Sequence, residues 1–178
     1  INLKYRSNDK IDETTLKGLF LGDKIYINYK NKKLDKKISK IITTKLSNSQ
    51  FFSKINILSS VPENKGLDGN FLFKLNKNRF TGGFDYKDNQ ITFKNSNLRN
   101  TFLDGAFTGY VKFTPLFDFN LDLDLNGINF NKFHSFFIDL NKKNENNLFK
   151  INKKINGKLS LSANKIYSKY NLIRSFES

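Results

Sequence analysis

Between Leu116 and Asn126 the chain alternates apolar and polar residues almost without a break. Phe117, Phe119, Leu121, Leu123 and Leu125 fall on one side; Asp118, Asn120, Asp122, Asp124 and Asn126 fall on the other. Only a β-strand has a period of two, so this is a strand with one apolar and one wet face. At about 3.3 Å per residue it runs for roughly 30 Å, beyond the usual strand length. A strand of that kind belongs to a protein built around an extended apolar surface.

The rest of the chain repeats this grammar, with short apolar alternations separated by Gly and Asx-Gly pairs. Strands are expected over 15–20 and 24–30 as a first hairpin, then over 52–60, 68–76, 79–87, 90–95, 98–103, 107–113 and 154–163, with a last one near Ile166, Tyr170 and Leu172. Asp88-Asn89 and Asp104-Gly105 are the expected turns, and Pro115, which lacks an N–H, marks a bend or strand start. Residues 33–46 fit two readings. Leu34, Ile38, Ile41, Ile42 and Lys45 fit a helical stripe with a basic outer face, whereas Ile41-Ile42-Thr43-Thr44 is a β-branched run; the expectation is a helix. Phe130, Phe133, His134, Phe137 and Ile138 recur at three and four, the stripe of a short helix that Asn129 or Asn131 can cap. Residues 141–147 are a polar loop. Asp68-Gly69-Asn70-Phe71, Asp104-Gly105-Ala106-Phe107 and Asn156-Gly157-Lys158-Leu159 each place Asx-Gly-x-apolar at a strand start, at irregular spacing.

The net charge of +15 invites a nucleic-acid reading. Yet 27 of the 31 basic residues are Lys and only Arg6, Arg79, Arg99 and Arg174 are Arg. Bidentate readout of phosphate and guanine favours Arg, so the toolkit is poor for it. Codon bias in an AT-rich genome produces the same Lys-, Asn-, Ile- and Phe-rich composition. The charge is also uneven: residues 31–46 and 141–158 each carry +5, while 79–140 sum to −1. Such runs are solvated faces or contacts to an anionic membrane. There is no Cys, hence no disulfide or thiolate metal site. No stretch reaches the roughly 20 apolar residues of a membrane-spanning helix. Ile at position 1 and the absence of Met point to a segment of a longer protein.

No motif supports an enzyme. Asp122-Leu-Asp124-Leu-Asn126-Gly127 opens like an EF-hand loop, but its twelfth position is Phe133 and a strand precedes it. His134 is the only histidine, so neither a two-His metal site nor a His-dependent triad can be assembled, and it reads as a partly buried packing residue. Gly82-Gly83 has neither the length nor the Lys of a phosphate loop and reads as a bulge or close backbone approach. Asp85, Asp88 and Asp104 lie on separate turns and faces, which leaves no carboxylate pair for acid–base work. The 19 Phe and 7 Tyr carry the remaining signal. They are a β core, a stacking platform for single-stranded nucleic acid, or an oily trough for acyl chains.

The segments from Phe84 to Leu98 and from Leu103 to Leu125 resemble the AsmA-like family of bacterial envelope proteins. Shared features are a hairpin, a Gly-bearing strand, a Pro-apolar bend and a long alternating strand running into Ile128-Asn129-Phe130 and a short helix. Asn156-Gly-Lys-Leu-Ser-Leu-Ser-Ala-Asn-Lys-Ile resembles the family's next unit. The likeness covers about 66–178, with 1–65 as an N-terminal part consistent with it.

This resemblance implies a protein on the periplasmic side of the inner membrane, its anchor outside this sequence. Its partners would be phospholipid and envelope-assembly proteins, and its role lipid movement and outer-membrane assembly. The expected fold is all-β, with long antiparallel strands in a twisted, incompletely closed sheet and one or two short helices, as a single segment over 1–178. Its apolar groove would be walled by Phe71, Phe73, Leu75, Phe84, Tyr86, Phe117, Phe119, Leu121, Leu123 and Leu125. Segments 31–46 and 141–158 would meet the membrane surface; no cofactor or metal is expected. A single-strand nucleic-acid domain and a purely structural or adhesive β module are the alternatives.

Overall fold

In the computed structural model the described residues are 1–34, 37–60, 66–135, 155–168, 172–173 and 176–177. The chain is all-β, with residues 130–135 helical, and divides into two compact units, Ile1–Asp88 and Asn89–Ser178.

The first unit is an antiparallel meander of β1 (Asn2–Ser7), β2 (Ile11–Phe20), β3 (Asp23–Leu34), β4 (Lys37–Leu46), β5 (Phe51–Ser60), β6 (Leu67–Leu75) and β7 (Asn78–Lys87). Each strand pairs with its sequence neighbour in a ladder without register shifts. Leu21 and Gly22, at φ 49° and 80°, form the two-residue turn between β2 and β3; positive φ at both centres suits the right-handed twist of a hairpin. Asp23 ties that turn to the next one, accepting hydrogen bonds from the Asn48 and Ser49 N–H groups at 2.7 and 2.9 Å and from the Ser49 hydroxyl at 2.6 Å. Among the described residues each strand packs laterally against its sequence neighbours, so β1 to β7 form one continuous sheet.

The helix expected over 33–46 is not formed. β3 runs to Leu34 and β4 occupies 37–46. Pairing on both sides satisfies the β4 backbone, and the β-branched run Ile41–Thr44 suits a pleated surface. Ile38, Ile42 and Leu46 then share one face while Ile41 takes the other, so the helical stripe is split.

The second unit contains β8 (Gln90–Arg99), β9 (Leu103–Lys112), β10 (Phe117–Asn129), β11 (Ile155–Ala163), β12 (Ile166–Tyr167), β13 (Leu172–Ile173) and β14 (Phe176–Glu177). The alternating strand expected over 116–126 is β10, the longest of the chain at 13 residues. β8, β9 and β10 are antiparallel. Two pairings depart from the antiparallel expectation: β10 is parallel to β11, from Phe117↔Ile155 to Leu125↔Ala163, and to β12, at Ile128↔Ile166 and Asn129↔Tyr167. The long connection that begins with the 130–135 helix returns the chain to the starting end of β10, as a parallel crossover requires. Asn129 caps this helix, its Oδ1 accepting from the Lys132 N–H at 3.1 Å. Phe137, Ile138, the 141–147 loop and Tyr170 lie outside the described residues.

Three further expectations are corrected. Asp104-Gly105 is not a turn; both residues lie inside β9, and the chain reverses at 100–102, where Asn100 Oδ1 accepts from the Phe102 and Leu103 N–H groups. An Asx turn outcompetes the Asp-Gly signal here because Gly105 is needed inside the sheet. There is no separate strand over 98–103, since β8 continues to Arg99 through a bulge between Phe93 and Ser96. His134 is exposed rather than partly buried, stacked on the also exposed Phe130 ring at 6.3 Å. Phe133 instead turns inward, 5.9 Å from Phe102. The core of this unit is Leu103, Leu125, Ile128, Ala163 and Ile166.

Candidate functional site: two apolar faces and a basic one

The register sorts the side chains of the first unit with little mixing. One face collects β1, β3, β5 and β6 at odd positions with β2, β4 and β7 at even ones. A single rung across β2–β7 reads Leu16, Ile27, Thr44, Ser53, Phe73, Phe80; the next reads Thr14, Tyr29, Ile42, Ile55, Phe71, Gly82. Five intervals of about 4.8 Å give such a rung roughly 24 Å, more than the ~15 Å of one bilayer leaflet's hydrocarbon. Phe71 is the buried centre at 6% exposure, with the rings of Phe73, Phe80 and Phe84 at 5.5, 5.1 and 6.4 Å. Phe73, Phe84 and Tyr86 are half-buried, and Leu75 is 43% exposed. Gly82 stands opposite Phe71 in a regular ladder with no bulge. Towards one end the face turns polar: Asp12, Asn31 and Lys40 form a rung, and Asn31 Oδ1 and Ser59 Oγ are buried without a hydrogen-bond partner among the described residues.

On the second unit the apolar face of β10 is closed at one end and open at the other. Leu125 is 0% exposed within the core, Leu123, Leu121 and Phe119 are half-buried, and Phe117 is 39% exposed. The neighbouring β11 follows suit, from buried Ala163 to Leu159 at 59% exposure. Of the ten residues expected to wall a groove, five therefore lie on the first unit and five on the second, and Phe71 and Leu125 are packed inside. The sequence reading missed Ile25, Ile27, Tyr29, Ile42, Ile55 and Phe80 as members of the same apolar face. Alternation within 24–30 carried part of that signal, but β4 could not be included while it was read as a helix.

The Asx-Gly-x-apolar motif acquires a physical role. Gly69, Gly105 and Gly157 are each the third residue of their strand and pair in register with Phe84, Leu125 and Phe119. A Cβ on Gly69 would meet the Asn56 carbonyl oxygen first and then the Phe84 ring at 2.8 Å, and one on Gly105 would meet the Asp124 carbonyl oxygen and Leu125 Cα before Leu125 Cδ2 at 3.0 Å. A Cβ on Gly157 would fall inside the Phe119 ring. Gly157 is the seat of the Phe119 ring, Gly69 makes room for a neighbouring carbonyl and the Phe84 ring, and Gly105 allows close approach of the β10 backbone.

Charge separates by face. On the polar face of the first unit lie Lys4 and Arg6 of β1, Lys17 of β2, and Lys24, Lys30 and Lys32 of β3. Lys37 and Lys45 of β4, Lys54 of β5, Lys74 of β6, and Arg79 and Lys87 of β7 complete it. Among the described strand residues, only Glu13, Asp68 and Asp85 stand against these twelve cations. The apolar face carries two of each sign, Lys33 and Lys40 against Asp12 and Asp23. Segment 31–46 is thus divided between the two faces, and of 141–158 only residues 155–158 are described. The Glu13 carboxyl is held below the usual range by the Asn28 amide at 2.7 Å and then by the Lys30 ammonium at 3.1 Å.

The polar face of the second unit is different. Arg99, Lys112 and Lys158 face Asp104, Asp118, Asp122 and Asp124 there. Asp118 accepts from Tyr110 and Asn156 and raises the Tyr110 pKa, while Asp124 accepts from Ser162. A cavity of about 390 Å³ overlies Asp122 and Asp124, bordered by the small side chains of Ala106, Thr108, Ser160 and Ser162.

Aromatic placement bears on the nucleic-acid alternative, which requires rings and lysines on one face. Of the eleven strand aromatics of the first unit, nine are on the apolar face, and only Tyr26 and Phe52 are on the basic one. No family model, curated protein or solved structure matches the chain.

Proposed function

We propose that the apolar faces of this chain hold acyl chains of phospholipid, in a non-enzymatic, lipid-carrying role of the AsmA-like envelope type. One observation carries the reading: the apolar side chains of the first unit's sheet are only half-buried over most of that face among the described residues. Apolar area left in water costs about 25 cal/mol per Å², so a face this large favours an apolar ligand that covers it. The open end of β10, with Phe117, Leu121 and Leu159, offers the same chemistry on the second unit. A chain laid along the Leu16–Phe80 rung would be bound by area and not by directional contacts. The polar rung Asp12–Asn31–Lys40, with both signs of charge, suits a headgroup beside it. The likeness of residues 66–178 to AsmA-like repeats supports the envelope setting, while the lipid reading rests on the faces themselves.

The test is binding of a fluorescent phospholipid to delipidated protein, with Phe73→Asp and Leu121→Asp on the apolar faces and Thr81→Asp on a polar face. A tenfold or greater loss for the first two with Thr81→Asp unchanged is expected, all three remaining folded by circular dichroism. No binding by the parent protein, or equal binding by all variants, sinks the reading.

A further inference from the structure

We infer that the basic face of the first unit docks on the surface of an anionic bilayer. This goes beyond acyl-chain binding, because it concerns the opposite side of the sheet and a headgroup layer in place of hydrocarbon.

Codon bias accounts for an excess of lysine but not for where the lysines lie. Both units come from one chain with one composition, yet the polar face of the first carries twelve cations against three carboxylates. That of the second carries three against four at its paired positions, with the exposed Lys94 at the β8 bulge besides. Ten of the twelve cations are exposed, only Lys30 and Lys32 being half-buried. A region of this size with a single sign of charge raises the local concentration of an opposite surface within a Debye length.

The detailed chemistry favours a headgroup layer over a nucleic acid. Lys17, Tyr26, Lys45, Phe52, Lys74 and Arg79 are paired successively across β2–β7, a rung in which ammonium groups and rings interleave. Its rings are not open for stacking. Lys17 and Lys45 Nζ stand 5.7 and 5.9 Å from the Tyr26 centroid, and Lys45 Nζ stands 5.8 Å from that of Phe52. Single-strand platforms need bare ring faces, and phosphate-backbone readout favours Arg, of which this face has two. Exposed lysines whose ammonium groups stand over aromatic rings match a diffuse anionic interface.

Cosedimentation of the full chain with phosphatidylcholine vesicles containing or lacking phosphatidylglycerol tests this. Binding is expected only with the anionic lipid, and to weaken tenfold or more as salt rises from about 0.05 to 0.5 M, where exposed charges are screened. The triple variant Lys17→Glu, Lys45→Glu, Lys74→Glu should lose it. The triple variant Lys94→Glu, Lys112→Glu, Lys158→Glu changes net charge equally and should retain it. Should the first triple fail to fold, acetylation of the unaltered protein replaces it. Anionic vesicles should then protect Lys17, Lys45 and Lys74 but not Lys112 and Lys158. Equal losses in both triples, uniform protection, or equal binding to neutral vesicles overturns the inference. So does tighter binding to a single-stranded oligonucleotide than to the anionic vesicles at the same salt. Because the readout is headgroup charge, loss of fluorescent-lipid binding in Phe73→Asp leaves it unaffected.

Discussion

Gly157 is the seat of the Phe119 ring. The two residues pair in register across the parallel strands β10 and β11, and the space a Cβ would take on Gly157 is filled by the ring. Gly69 makes room for the Asn56 carbonyl and the Phe84 ring across its antiparallel pairs, and Gly105 for the backbone of Asp124 and Leu125. The shared Asx-Gly-x-apolar motif is therefore a packing device: the missing Cβ lets the backbone or a side chain of the adjacent strand come close to the glycine.

Substituting that seat should displace the ring. Gly157→Ala is expected to cost about 1–3 kcal/mol, the range for an overpacked site. Phe119→Ala in the same chain should remove most of the extra cost, because the clash is with that ring alone. Urea unfolding of both single variants and the double variant measures the coupling; strict additivity would show that the ring is not held there.

The burial gradient along β10 and β11 predicts unequal leucines. Leu125→Ala removes a fully buried core side chain and should lower stability by about 2–5 kcal/mol. Leu159→Ala, at 59% exposure, should change it by less than about 0.5 kcal/mol. Comparable losses in the two variants would contradict a face closed at one end and open at the other.

Asp23 should make stability depend on acid. Its carboxyl is held below the usual range, first by the Ser49 hydroxyl and then by the Asn48, Ser49 and Lys24 N–H groups. A folded pKa below the unfolded value of about 3.9 means that its stabilisation is fully present above that pH. It is lost as pH falls through the folded value. Thermal midpoints measured from neutral pH downwards should therefore fall below about pH 4, and Asp23→Asn should flatten the fall while lowering the neutral midpoint. Glu13, also lowered, keeps part of the slope in that variant. An unchanged slope in Asp23→Asn would refute the role.

The cap at Asn129 gives the smallest effect. Asn129→Ala should cost about 1 kcal/mol through the lost bond to the Lys132 N–H, whereas Asn129→Asp, which keeps an acceptor, should be near neutral. Matching losses in the two variants would place the contribution elsewhere, for example in the backbone bond from the Asn129 N–H to the Phe102 carbonyl.

What the sequence determined by itself was local. Alternation over 116–126 is enough to define β10 and its two faces, because a period of two admits no other regular structure. The third-position glycines, the Asp88-Asn89 turn and the bend at Pro115 were visible for the same reason: each is a conformational demand made by one or two residues. Residues 33–46 fitted two periods at once, and only pairing with β3 and β5 chose between them. Asp104-Gly105 carried a turn signal that Leu125, twenty residues away, overrode by needing the glycine inside the sheet. Burial of Leu125 beside exposure of Leu159, the parallel pairing of β11 and the gathering of twelve cations on one face are likewise properties of register. Register is set by which strands meet, a non-local outcome that no single strand's pattern contains. The alternating strand identified an apolar face; the tertiary structure decided which end of it is core and which end is open.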